Sequence, residues 1–129
     1  MFFKNLWPAF VWAFVILILC IIPGNELPNL SFWNIDKLGH AGIFGILSCL
    51  LIYGFAKQKR FQLLTLKPFL TSILFSAFYG GLIEIIQELI VYKRNGDMYD
   101  FIADTLGAIV FAWLFSIYGK RFLPVEEEV

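Results

Sequence analysis

Three short stretches of this chain carry most of the ionisable side chains that could do chemistry, and each one borders apolar sequence. In DKLGH, residues 36–40, Asp36 and His40 stand four apart, on one side of a helix, with Lys37 beside them. In EIIQE, residues 84–88, Glu84, Gln87 and Glu88 form one stripe, because residues three and four apart share a helical face. In RNGDMYDFIADTLG, residues 94–107, an Asn-Gly turn follows Arg94, and Asp97, Asp100 and Asp104 again fall on one face. Six carboxylates (Asp36, Glu84, Glu88, Asp97, Asp100, Asp104) meet three fixed cations (Lys37, Lys93, Arg94) and one histidine. Such an acidic excess holds protons, or it recruits a metal ion or a cationic ligand group.

The residue types suggest roles. Asp36, His40, Glu84 and Asp100 are the candidate catalytic residues and the candidate ligands of a divalent metal, since carboxylates suit Mg, Ca or Mn and imidazole suits Zn. Metal-activated water could hydrolyse a phosphate or acyl bond. Without metal, Glu84 and His40 could serve as acid and base. Lys37, Gln87, Arg94, Asp97 and Asp104 are candidate substrate-binding residues. There is no G-x-S-x-G elbow, P-loop or H-E-x-x-H, so familiar hydrolase and kinase mechanisms have no support. Structural roles compete. Asp97 suits a helix N-cap with Asp100 as a box-like partner, and Asn34 suits the cap of the preceding helix. Asp36 and Lys37 suit first-turn interfacial charges, and Glu88 an outer-edge charge. His40 could be a satisfied bundle histidine, and Glu84 and Asp104 members of a buried polar network.

Long apolar segments must position these residues. The chain of 129 residues is 60% hydrophobic and 19% aromatic, with a mean hydropathy of +0.77. Soluble domains are about 45–50% apolar, so an integral membrane protein is expected. A spanning helix needs roughly 17–25 apolar residues, and four segments qualify, at about 5–22, 35–56, 69–92 and 98–118. Backbone groups in lipid must pair within the segment, which makes these segments helices. The expected fold is an all-α, four-helix transmembrane bundle forming one domain, with Pro8 tolerated in the first turn. Pro23 and Gly24 follow the first apolar run in place of a small-residue cleavage site, so that run reads as a retained span. Cys20 and Cys49 lie in apolar runs and read as packing residues.

Loop charges orient the bundle. Seven cations (Lys4, Lys57, Lys59, Arg60, Lys67, Lys120, Arg121) fall on one side and three on the other, which makes both termini cytoplasmic. The KQKR run reads as a cytoplasmic anchor. Zero net formal charge argues against a nucleic-acid partner. The polar stretches then gather at the extracytoplasmic end. Glu84, eight residues before Tyr92, lies ~12 Å deep at ~1.5 Å per residue. Charges at such depth cost on the order of 2.5–3.5 kcal/mol, so they should face one another or a water-filled pocket. Small residues four apart (Ala41 and Gly45, Ser76 and Gly80, Ala103 and Gly107) let helices approach closely.

The same stretches resemble the VanZ-like family of small bacterial membrane proteins. DKLGHAGIF is similar to its Asp-Lys-x-x-His block, and GGLIEIIQ to its Glu-x-x-Gln block. RNGDMYDFIADTLG is similar to its block of Arg, Asp six residues on, a small residue with Asn, then Gly. The blocks run in the family order over residues 36–107, and the matching positions are Asp36, Lys37, His40, Glu84, Gln87, Arg94, Asp100 and Gly107. One position departs, because the family's Asn is Asp104 here. An ionised Asp cannot donate a hydrogen bond as an amide does, so either Asp104 is protonated or a cation replaces the missing donor. The resemblance implies a multi-pass protein of the bacterial inner membrane, in a family whose namesake is linked to resistance to teicoplanin, a glycopeptide that binds cell-wall precursors.

Three functional readings follow. The leading one is an envelope function at the outer face, binding or processing a lipid-linked or cationic envelope component such as a cell-wall precursor, with membrane lipids as partners. The second is a small transporter or proton relay, since intramembrane acids and His mark such paths. The third is a non-catalytic structural or accessory protein.

Overall fold

The computed structural model describes residues 2–23 and 33–124, and every regular element among them is helical. In chain order these are α1 (Phe2–Ile21), α2 (Trp33–Lys57), the short α3 (Gln62–Leu66), α4 (Pro68–Leu89) and α5 (Met98–Tyr118), followed by a 3-10 turn at Lys120–Phe122. Helices α1, α2, α4 and α5 are long and apolar enough to cross a membrane. The chain is therefore a multi-pass membrane protein.

Its packing is that of a protein with an apolar exterior. Trp7, Phe14, Leu74, Phe78 and Trp113 are exposed, while Ser48, Ser72, Ser76, Gln87 and Asp104 are buried. Lipid tails are as apolar as Leu, so exposed Leu and Phe carry no penalty there, and small or polar groups at the helix interfaces supply the cohesion. Helix α2 is the hub and touches α1, α3, α4 and α5, whereas α1 rests on α2 and α4. An apolar core of Leu6, Ile16, Phe44, Leu47, Phe55 and Ile83 fills the junction of α1, α2 and α4. Two half-buried donors bind backbone across it. Trp12 Nε1 donates to the Ile43 carbonyl at 2.8 Å, and Tyr79 Oη to the Ala13 carbonyl at 2.6 Å.

Helices α2 and α5 approach each other closely. Gly107 lies against the Ala41 backbone with no room for a β-carbon, and Gly45 lies against the Phe111 ring. Of the small residues noted in the sequence, Gly45 and Gly107 serve this interface, which sets the spacing between His40 and Asp104, while Gly80 serves the contact of α4 with α5.

Two span edges differ from expectation. Helix α1 begins at Phe2, so Pro8 falls inside the helix, past its first turn. Having no N–H, Pro8 leaves the Lys4 carbonyl without its helical donor. Helix α4 stops at Leu89, three residues short of Tyr92. There the Ile90 and Val91 amides both donate to the Ile86 carbonyl, at 2.9 and 3.3 Å, and Lys93 takes a left-handed φ of 54°. The reversal therefore lies before Asn95-Gly96. Gly96 is required for another reason: a β-carbon there would stand 2.8 Å from the Glu84 carbonyl oxygen.

The basic connection after α2 also differs, because it holds α3. Gln58 is buried and pins it. Its Nε2 donates to the Phe61 carbonyl and to Thr65 Oγ1, at 2.7 and 2.9 Å, and its Oε1 accepts from the Arg60 and Phe61 amides, both at 2.8 Å. Lys59 and Arg60 remain exposed.

Candidate functional site

The N-terminal ends of α2 and α5 meet the C-terminal ends of α1 and α4 at one end of the bundle, and the three polar stretches face one another there. Lys37 organises the outer layer. Its Nζ donates to Asp97 Oδ2 at 2.8 Å and to Asp100 Oδ1, and stands 3.8 Å from Asp36 Oδ2. The Asp36 side chain is 52% exposed against 8% for Asp100, so Asp36 belongs to the rim.

His40 forms the inner layer. Its Nδ1 is 2.9 Å from Asp104 Oδ1, and its Nε2 is 3.6 Å from Asp100 Oδ2. The imidazole thus spans two carboxylates one helical turn apart on α5. Asp104 is completely buried, and its Oδ2 has no hydrogen-bond partner. Room for this carboxylate comes from Gly80 on α4, where a β-carbon would stand 2.9 Å from Asp104 Oδ2. The sequence marks Gly80 only as a helix-packing residue; its place one turn before Glu84 is the one signal that ties it to the site.

Glu84 and Glu88 play a part that composition could not show. Glu84 Oε2 accepts from the Asp97 amide and Glu88 Oε2 from the Gly96 amide, both at 2.7 Å. The two acids, one turn apart, hold the backbone that leads into α5, where unpaired amides favour a nearby carboxylate. Glu84 keeps Oε1 buried and unpartnered. Because α4 ends at Leu89, Glu84 lies about 7.5 Å from the helix end at ~1.5 Å per residue, shallower than the expected depth.

Asp97 is the N-cap of α5 and accepts from the Tyr99 amide at 2.8 Å. The Lys37 ammonium, and after it the Tyr99 N–H, hold its carboxyl below the usual range. The capping box does not form, because Asp100 is drawn inward by Lys37 and His40. Gln87 is turned toward α1, where its Nε2 donates to the Cys20 carbonyl at 3.2 Å. Arg94 is half-buried and makes no ion pair with a described residue, so the cation that serves the acids is Lys37.

The four expected metal ligands, Asp36, His40, Glu84 and Asp100, do not stand as one group, and Glu84 is grouped instead with Asp104, which was expected to bind substrate. Asp36, His40 and Asp100 form one group and His40, Glu84 and Asp104 the other, each offering ligand atoms within 4.8 Å of one another. The open space also lies elsewhere than expected. A groove of about 640 Å³ runs along the flank of α4 and α5, between Glu84, Ile85, Glu88, Asp97, Met98 and Phe101. His40 and Asp104 are packed behind it rather than lining an open chamber.

The profile of the VanZ/LLP1 family matches residues 1–119. No curated protein and no solved structure matches the chain.

Proposed function

The chain belongs to the VanZ/LLP1 family, and from that premise we propose that it binds an amphiphilic envelope component at the extracytoplasmic end of the bundle. The observation that carries this reading is the groove between α4 and α5. Its walls are apolar (Ile85, Leu89, Met98, Phe101), and its polar lining is acidic (Glu84, Glu88, Asp97). That pattern suits an acyl or prenyl chain whose headgroup carries an amine. Lys37 is engaged by Asp97 and Asp100, so Glu88 remains the exposed acid available to a cationic headgroup. A lipid-linked cell-wall precursor bearing an amine fits this description. The reading is one of recognition; Lys37, His40, Asp100 and Asp104 behind the groove keep its inner wall in place.

Native mass spectrometry of the protein in mixed-lipid nanodiscs tests it. Phosphatidylethanolamine should be retained over phosphatidylglycerol, and the Glu88→Gln/Asp97→Asn double variant should lose that preference severalfold. Equal retention of both lipids by the unmodified protein would end the proposal. Proton flux in proteoliposomes would instead favour the relay reading, for which the buried hydroxyls of Ser72 and Ser76 extend the polar interior along α4.

A further inference from the structure

The inner face of the cluster has a feature that groove recognition does not use. Glu84 Oε1 and Asp104 Oδ2 are both buried and both lack a partner, on residues 9% and 0% exposed. His40 completes the group, with ligand atoms of all three residues within 4.8 Å of one another. Two carboxylates brought this close, away from water, need a positive charge or a shared proton. Lys37 does not supply that charge, since its ammonium is engaged by Asp97 and Asp100 in the outer layer.

We infer that His40, Glu84 and Asp104 hold a divalent transition-metal ion of the zinc or manganese type. One imidazole nitrogen and two carboxylates are a donor set for such ions, with bonds of about 2.0–2.2 Å. Adjacent ligands on bonds of that length stand about 3 Å apart in octahedral coordination and about 3.4 Å apart in tetrahedral coordination, and His40 Nδ1 is 2.9 Å from Asp104 Oδ1. The two carboxylates match the charge of a divalent ion. With Nδ1 as ligand, the remaining imidazole proton lies on Nε2, which faces Asp100 Oδ2. At 3.6 Å this contact is longer than a hydrogen bond, and a small closing movement of the two groups completes the carboxylate–histidine–metal arrangement that fixes the tautomer of a ligating His. The alternative group, Asp36, His40 and Asp100, is the poorer choice, because the Lys37 ammonium is bonded to Asp100 and repels a cation there. The inference also gives Asp104 a reason to be an acid: an Asn would leave one carboxylate against a double charge.

The test uses full-length protein in nanodiscs, stripped with chelator and titrated with Co²⁺, then competed with Zn²⁺ and Mn²⁺. The expected result is one equivalent of Co²⁺ with a visible ligand-field band, and a metal-dependent rise in melting temperature. Asp104→Asn should weaken Co²⁺ binding by about tenfold or more, while its metal-free melting temperature is no lower than that of the unmodified protein. Asp36→Asn should leave Co²⁺ affinity within about twofold. Absence of stoichiometric Co²⁺ and Zn²⁺ uptake by the unmodified protein would overturn the inference, and the carboxylates would then share a proton. Loss of binding in Asp36→Asn with retention in Asp104→Asn would overturn it as well. Lipid retention in the groove does not depend on this result.

Discussion

Asp104 is the residue on which the interior of this bundle turns. It is fully buried, one oxygen meets His40, and the other lies over Gly80. Its position on an acidic face was readable in the sequence. The helix opposite it was not, because face periodicity says which residues of one helix share a side and nothing about what they meet. The two adjacent glycines of α4 test this contact. A β-carbon at Gly80 would stand 2.9 Å from Asp104 Oδ2 and 3.1 Å from its Cβ, whereas one at Gly81 would meet the Phe101 ring at an ordinary 3.5 Å. Gly80→Ala should therefore destabilise by about 1–3 kcal/mol, the usual cost of overpacking. Gly81→Ala should be neutral or slightly stabilising, since Ala is the better helix former. Thermal melts of the two variants in one detergent check this; equal melting temperatures would mean that Gly80 is not the seat of Asp104.

At the scale of elements, the start of α5 is built by three helices together. Asp97 caps it, Lys37 of α2 holds Asp97, and Glu84 of α4 accepts the Asp97 amide. The cap was legible from an Asp before an apolar run. The box with Asp100 was not realised, because a cation and an imidazole from α2 compete better for that carboxylate. The early end of α4 escaped sequence reading for a related reason: Ile90, Val91 and Tyr92 are as apolar as the helix before them. Only the carboxylates reaching across to the Gly96 and Asp97 amides favour a reversal there. The cap has a pH signature. Lys37 and the Tyr99 N–H hold the Asp97 carboxyl below its ordinary value, so its contribution is fully present above about pH 4. That contribution is lost as pH falls through the lower, folded-state value. Asn also caps helices well, so Asp97→Asn removes the charge and keeps the cap. The gap in melting temperature between the unmodified protein and Asp97→Asn should shrink as pH is lowered from 7 to about 3. A gap that does not change over this range would show that the Lys37–Asp97 pair adds no stability.

For the whole molecule, the apolar exterior and the polar, small-residue interior are the state a bundle adopts when its solvent is lipid. The acidic cluster occupies one end, and Lys57, Lys59, Arg60, Lys67, Lys120 and Arg121 lie at the other. The proposed function requires the acidic end to face outward, as the positive-inside rule expects. Cysteines introduced at Asn95 and Lys59, in a background with Cys20 and Cys49 replaced, decide the matter. An impermeant maleimide should label the Asn95 position in intact cells and the Lys59 position only after lysis. The reverse pattern would put the groove in the cytoplasm and remove the envelope reading.

The four helices, their order and the chemistry-bearing positions were determined by the sequence itself. Hydropathy over about 20 residues and periodicity near 3.6 are local properties, and lipid leaves a helix as the only way to satisfy the backbone. Which polar groups meet was decided only by the tertiary structure. The closeness of Gly107 to Ala41 sets α5 against α2, so that His40 reaches Asp100 and Asp104, and Lys37 reaches Asp97. The same packing left Asp36 at the rim, turned Gln87 to α1 and moved the open space from the centre of the cluster to the flank of α4 and α5. These outcomes depend on interhelical distance and rotation, which small residues permit but do not encode one by one.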